Sequence, residues 1–257
     1  MVQSAHVNRI AGMSAACICL SVLSSCEGVS ELQAAPCSSE TAMQSRTINV
    51  SPGSIDIVEQ LGTKEIVFTL DDGPHAWRTP KVLDTLDHHC VKATFFLQGN
   101  NAERHPKLVR EIAARGHTVG SHTYTHQNLK NLELDAAMIE VQRGRDAVSA
   151  AFQDSASGSP SSLFRFPFVA STPELDAAVE SSGLIIVPVN ADGADWTRNS
   201  AEESTELVLQ KLTDQGEKGI VLLHDPFGKS DRRVDHLIRA LSDRDYTIVH
   251  VVQTPKN

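Results

Sequence analysis

The sequence lacks most of what a nucleic-acid or membrane-surface protein needs. Basic residues are in deficit: 23 Lys and Arg stand against 32 Asp and Glu, a formal net charge of −9. Nucleic acid and anionic bilayers are held by basic footprints, so this balance argues against both as partners. Cysteine is scarce, and none of Cys17, Cys19, Cys26, Cys37 and Cys90 stands in C-x-x-C spacing, which argues against a thiolate zinc site. The apolar stretch from Ile10 to Leu23 is too short and too rich in serine for a membrane span. No segment repeats along the chain. What is present is ordinary for a soluble globular domain: 257 residues, 40% of them hydrophobic, with charges of both signs.

The amino terminus differs from the rest. Arg9 is the only charged residue before Glu27, and the apolar or small residues from Ile10 to Leu23 have the character of a secretory signal. The run ends in Leu23, Ser24, Ser25 and Cys26, which resembles a bacterial lipobox with Cys26 as the lipidated first residue. The alternative is an ordinary signal cleaved after Ala35, with Cys26 incidental. Residues 1–26 therefore read as a signal peptide and residues 27–60, rich in Ser, Ala, Thr and Gly, as a linker or lead-in. Residues 61–257 read as the catalytic domain. The expected location is the periplasm or cell envelope, either anchored to the membrane through a lipid on Cys26 or free of it. Cys37 and Cys90 are candidates to pair in such an oxidising compartment, a point the sequence leaves open.

From Glu65 onward apolar runs alternate with helical patterns. The runs 65–70, 93–97, 117–121, 163–166, 184–189, 219–223 and 246–252 predict strands. The spans 80–88, 101–115, 132–152, 172–182, 201–215 and 231–242 predict helices, with Thr172 as a cap and Pro173 in the first turn of its helix. Such alternation with short links implies right-handed parallel βα units. About seven units fit either a barrel or a doubly wound sheet, and periodicity does not separate the two.

Chemistry-bearing residues cluster at the ends of these strands. Glu65 to Leu70 stops at two adjacent carboxylates, Asp71 and Asp72, followed by a Gly73–Pro74 turn. Paired carboxylates repel unless a cation or a shared proton relieves them. After the third strand come His122 and His126, four apart and able to face one way. Alone, an H-x-x-x-H pair is a weak signal. With one aspartate it gives a nitrogen–oxygen set of the kind that zinc takes while keeping a position open for water. Arg165, Phe166, Pro167 and Phe168 follow the fourth strand, Asp192 to Trp196 the fifth, and Leu222, Leu223 and His224 close the sixth. Each has a dull reading by itself, but all fall on the carboxyl-terminal ends of separate strands, the edge where α/β folds build sites.

Taken together, T-L-D-D-G-P, S-H-T-Y-T-H, R-F-P-F, D-G-A-D-W and L-L-H closely resemble, in order, the five motifs of the polysaccharide deacetylases (carbohydrate esterase family four, the NodB-homology domain). The resemblance spans about Glu65 to Val252. It implies a distorted (β/α) barrel of about seven parallel strands with outer helices. It also implies Asp71 as general base, Asp72, His122 and His126 as ligands of a divalent metal, most readily zinc, and His224 as general acid. Arg165 is expected to hold Asp71 and Asp195 to support His224. Trp196 and Leu222 are expected to line the acyl pocket, with the main chain at Phe168 completing an oxyanion hole. The sequence departs from the family at Leu70, where Phe is usual, at Phe166 and Phe168, where Pro and Tyr are usual, and at Val169, where Gly is common. These changes bear on substrate preference more than on catalysis.

The resulting expectation is a metal-dependent hydrolase that removes N-acetyl groups from N-acetylglucosamine units of a peptidoglycan or chitin-like glycan, with no nucleic acid or obligate protein partner. The alternatives are an O-acetyl esterase on acetylated xylan and a catalytically silent glycan-binding lipoprotein. No carbohydrate-binding module is visible, so substrate reach must come from the rim loops. Asp192, inside the fourth motif, is without a role at this level.

Overall fold

The structure, a computed structural model, describes residues 44–53, 56–153, 158–197 and 199–253. The signal peptide, the lipobox at Cys26, the cleavage point at Ala35 and Cys37 lie outside these residues. Cys90 is disulfide-bonded. No helix among the described residues is long and apolar enough to cross a membrane.

In chain order the elements are β1 (Gln44–Val50), β2 (Glu65–Asp71), α1 (Thr79–His88), β3 (Thr94–Leu97), α2 (Gly99–Arg104), α3 (Pro106–Ala114), β4 (Thr118–Ser121), α4 (Leu134–Ala150), β5 (Leu163–Phe164), α5 (Pro173–Ser181), β6 (Ile185–Ile186), β7 (Ala191–Asp192), α6 (Ala201–Asp214), β8 (Gly219–His224), α7 (Ser230–Ser242) and β9 (Thr247–Gln253). All pairings are parallel. Strands β7-β8-β2-β3-β4-β5-β6 form a seven-membered arc. No ladder joins β6 to β7 among the described residues, so the arc stays open there. β9 pairs with the first two residues of β2 and carries β1 on its other side. This is the distorted (β/α) barrel expected of the family, with one difference of membership: the short β7, not β9, completes the seven.

The alternation of side chains along β2 explains where the site lies. Ile66, Phe68 and Leu70 pack outward among helix residues such as Leu83, Leu86, Ile112 and Leu237. Val67 points the other way, into a second cluster with Phe96, Leu163, Ile220 and Val249. Thr69 and Asp71 follow Val67 on that inner face, so the interior turns from apolar to polar as the strand reaches its carboxyl end. Burial of a side chain such as Phe68, fully enclosed, contributes about 1.5–3 kcal/mol.

The structure differs from the sequence reading in three places, two of them with a clear cause. Residues 44–50, within the stretch read as a linker, form β1. Ile48 and Val50 are buried while Thr47 and Asn49 face solvent, the period-two pattern of a half-covered strand. The single helix expected over 101–115 is two, broken at His105 (φ −132°, ψ 52°), because the residue before Pro106 is pushed out of the helical region. The strand expected over 184–189 is only two residues long. Thr172 does cap α5, its hydroxyl accepting from the Leu175 N–H at 3.3 Å.

Candidate active site

Asp71 is the last residue of β2, and the chain turns sharply after it: Asp72 takes a left-handed φ of 73°, which aspartate tolerates better than most residues. A side chain at Gly73 would collide with the Asp225 carboxylate, so the turn requires glycine. Asp225 braces the turn from below. Its N–H donates to the Asp71 carbonyl at 3.0 Å and its carboxyl accepts from the Thr79 hydroxyl at 2.5 Å. Burial, helped by the nearby Asp72 charge and opposed by the Thr79 bond, raises the Asp225 pKa to about 7.

β4 delivers His122 and its loop delivers His126. The His126 Nε2 lies 3.2 Å and the His122 Nε2 3.6 Å from Asp72 Oδ1. One ligand atom from each of the three residues lies within 4.8 Å of the others, a group able to hold a metal ion. The donor chemistry fits as well. His122 Nδ1 is 2.7 Å from the Arg165 carbonyl, which can only accept, so Nδ1 carries the proton and Nε2 presents its lone pair. Burial drives the His122 pKa down to about 3 against the pull of Asp72, keeping the ring neutral as a ligand must be. Gln98 Nε2 donates to Asp72 Oδ1 at 2.8 Å, fixing the carboxylate from the β3 side, and Asn101 Nδ2 donates to the Asp72 carbonyl at 3.0 Å, fixing the main chain of the turn.

The histidine loop is set by α4. The Glu140 carboxylate accepts from both the N–H and the hydroxyl of Thr125 at 2.8 Å. One helical turn on, Gly144 lies against Thr123 so closely that a Cβ would overlap its backbone.

Asp71 has a different environment from its neighbour. Arg165, itself fully buried, donates to Asp71 Oδ1 at 2.8 Å and to the Thr69 hydroxyl at 2.7 Å. It is held by the carbonyls of Val187 and Pro188 at 3.2 and 3.1 Å and lies 4.2 Å over the Phe96 ring. Burial pushes the Asp71 pKa up, and the Arg165 charge opposes it. At the end of β8, His224 Nδ1 meets Asp195 Oδ1 at 2.8 Å, and the His224 N–H donates to Asp195 Oδ2 at 3.0 Å. Burial alone would lower the His224 pKa. The Asp195 hydrogen bond and charge, with Asp71 and Asp72 beyond, outweigh it and raise the value.

Asp71, Asp72, His122, His126, Phe168, Trp196, Leu222 and His224 all line one cavity of about 420 Å³. Arg165 and Asp195 are buried behind it, against Asp71 and His224. Asp192 also lines the cavity, and its Oδ1 accepts from the Ala194 N–H at 2.7 Å, so it closes the turn beneath Trp196. Val169, one of the departures from the family pattern named above, and Phe227, which the sequence reading does not include, complete the wall. That reading also leaves out Gln98 and Asn101, although polar residues directly after a buried strand are the same signal that marked the others.

On one rim of the parallel βα arc stand a three-residue group able to hold a metal ion, a carboxylate–arginine pair and a histidine–aspartate pair, the kinds of group that a hydrolase of the barrel class uses. The family model for polysaccharide deacetylases matches residues 59–187. A chitooligosaccharide deacetylase of Bradyrhizobium is 35% identical over 70% of this chain and 83% of its own length. A peptidoglycan-N-acetylglucosamine deacetylase of Bacillus cereus is 35% identical over 56% of this chain, which spans only 51% of that relative. Among solved structures, a peptidoglycan deacetylase of Bdellovibrio bacteriovorus superposes with a TM-score of 0.72 at 29% identity, covering 82% of this chain and 59% of the other. The chain belongs to the polysaccharide deacetylase family and is an enzyme of that hydrolase class.

Proposed function

We propose that this protein is an exported, zinc-dependent deacetylase of N-acetylglucosamine units in a glycan, peptidoglycan or a chitin-type oligomer. The observation that carries the reading is the convergence of Asp72, His122 and His126 beside a carboxylate that is held by Arg165 and left out of the metal group. The named activities of the relatives point to the same substrate class, and those that act on peptidoglycan support a site of action outside the cytoplasm.

When bound, a divalent ion on these three residues would polarise the acetyl carbonyl and acidify a water molecule. Asp71 takes the proton from the attacking water through Oδ2, since Oδ1 is engaged by Arg165. The Phe168 main-chain N–H helps to hold the oxygen that becomes negative. The leaving group is an amine, which departs poorly unless it gains a proton. His224 supplies that proton, and Asp195 fixes its ring so that Nε2 faces the cavity. Trp196 and Leu222 form the apolar seat for the acetyl methyl. A raised pKa suits the acid and a buried, arginine-held carboxylate suits the base, two tuned groups with opposite tasks.

The test is acetate release from N-acetylchitooligomers and from peptidoglycan, with acetylated xylan as the ester control. Release is expected from the amide glycans, abolished by chelator and restored by zinc. Failure of every glycan to yield acetate in the metal-loaded protein overturns the reading.

The charged acid His224 also sets a pH dependence. Its raised pKa places the alkaline limb of the kcat profile above the ordinary imidazole value of about 6.5. Asp195→Asn removes the charge that raises it, so the alkaline limb should move to lower pH. The same linkage makes the His224–Asp195 pair fully stabilising below the unfolded imidazole pKa, a contribution lost as pH rises through the folded value. A kcat–pH profile of the variant superimposable on that of the wild type would remove Asp195 from this role.

A further inference from the structure

The turn Pro167–Val169 holds two successive residues in the left-handed region, Phe168 at φ 59° and Val169 at φ 51°. For phenylalanine this is uncommon. For valine, whose two γ-carbons crowd the adjacent peptide groups, it is an outlier that costs stability. Core packing does not offset that cost, because Val169 is 50% exposed. The hydrogen bonds of the turn do not call for valine either. They run from the Val169 N–H to the Phe166 carbonyl and from the Ala170 N–H to the Pro167 carbonyl, at 3.1 and 3.2 Å, and any residue could make them. What the isopropyl group does reach is the cavity, where it shares the wall with Phe168, Trp196 and Phe227.

The surroundings support a contact surface. The large apolar side chains that stay exposed among the described residues are Trp77, Phe168, Val169, Trp196, Ile139 and Leu207. The first four stand on loops that follow β2, β5 and β7 at the carboxyl-terminal rim. Only Ile139 and Leu207 lie on helices. Apolar side chains gathered around a polar centre suit a pyranose ring, whose faces carry C–H groups and whose edge carries hydroxyls.

We propose that Val169 is a specificity-determining residue, kept in a strained backbone conformation because its side chain forms the mouth of the cavity against the sugar ring of an N-acetylated glycan. The inference rests on the glycan reading above and adds to it a residue that sets how tightly the ring is held. Strain and contact can be separated by two substitutions. Val169→Gly relieves the backbone and removes the wall. Val169→Ala removes most of the wall and the γ-carbon crowding but keeps the penalty that any Cβ carries at positive φ.

The experiment measures Tm for each protein and the Kd of N,N′,N″-triacetylchitotriose by calorimetry, in an Asp71→Asn background so that turnover is slow during the titration. KM and kcat are measured in the otherwise wild-type background. Val169→Gly is expected to raise Tm by about 2–4 °C, and to weaken sugar binding about 3- to 10-fold, with KM rising in step and kcat little changed. Val169→Ala should weaken binding with a smaller gain in Tm than Val169→Gly. A raised Tm with unchanged Kd and KM would overturn the proposal, because the side chain would then be idle. An unchanged Tm in Val169→Gly would overturn it from the other side. A wild type that releases no acetate while the Asp71→Asn protein binds the sugar defeats only the catalytic reading, and the Kd comparison still decides this one. Absence of sugar binding overturns this proposal and leaves the catalytic reading to the acetate assay.

Discussion

Asp71→Asn is expected to lower kcat for acetate release by about 10²- to 10⁴-fold while leaving metal content at the wild-type level. The substitution keeps the shape of the side chain, and the amide oxygen can still accept from Arg165. What it removes is the capacity to take a proton. Asp71 differs from Asp72 in its partners and not in its distance from His122: its Oδ2 lies 3.7 Å from His122 Nε2, against 3.6 Å for Asp72 Oδ1, but its Oδ1 is committed to Arg165 at 2.8 Å. The neighbouring Asp72→Asn should behave differently, losing metal affinity first and activity as a consequence. Metal content of the purified variants together with single-turnover acetate release distinguishes the two. Activity of Asp71→Asn within a few-fold of wild type would mean that some other group deprotonates the water.

Arg165→Met is expected to cost about 3–5 kcal/mol of stability, the range for leaving one member of a buried ion pair without its partner. For a domain of this size that corresponds to a fall in Tm of roughly 6–20 °C. The arginine is 1% exposed and joins five groups: the Asp71 carboxylate, the Thr69 hydroxyl, the carbonyls of Val187 and Pro188, and the Phe96 ring. Methionine fills much of the volume and satisfies none of the polar partners. The sign of the pH effect follows. With Arg165 gone, the largest charge opposing burial at Asp71 is lost and only those of His224 and His126 remain, so the Asp71 pKa rises further and the deficit should shrink as pH falls and the carboxyl becomes neutral. Adding Asp71→Leu should recover part of the lost stability and none of the activity. If the double variant is no more stable than Arg165→Met, the loss arises from packing and the carbonyl contacts, not from the orphaned charge. Thermal melts from pH 5 to 8 on the two variants measure this.

The fold and the site were legible to different degrees, and for physical reasons. Buried parallel strands are written as apolar runs, and a run that stops at charged residues marks the rim, so β2, β4 and β8 and the residues after them could be placed from the sequence. β1 escaped because a strand covered on one face needs only Ile48 and Val50, too few to stand out in a polar stretch. β7 escaped because Ala191 and Asp192 contain no apolar run at all; its partner β8 supplies the order. The helix break at His105 was available from Pro106. Gln98 and Asn101 were passed over because neutral amides carry no charge to draw notice, although they grip Asp72 directly. Asp225 was hidden beside His224: nothing in the sequence tells which of two adjacent polar residues faces the cavity and which is sealed beneath it. Val169 was noticed as a departure from the family, but its backbone conformation belongs to the turn and not to the residue type.

Glu140 and Gly144 place part of the centre's assembly far from its ligands. The loop bearing His122 and His126 is shaped by a carboxylate and a missing methyl group on α4, a helix that comes later in the chain and lies in the outer layer. Until that helix docks, His122 has its place at the end of β4 but the loop that carries His126 lacks the Glu140 and Gly144 supports. Ion capture should therefore come late in folding, and a bulkier residue at position 144, on a helix with no ligand of its own, should loosen the grip on the ion while the barrel strands remain in register.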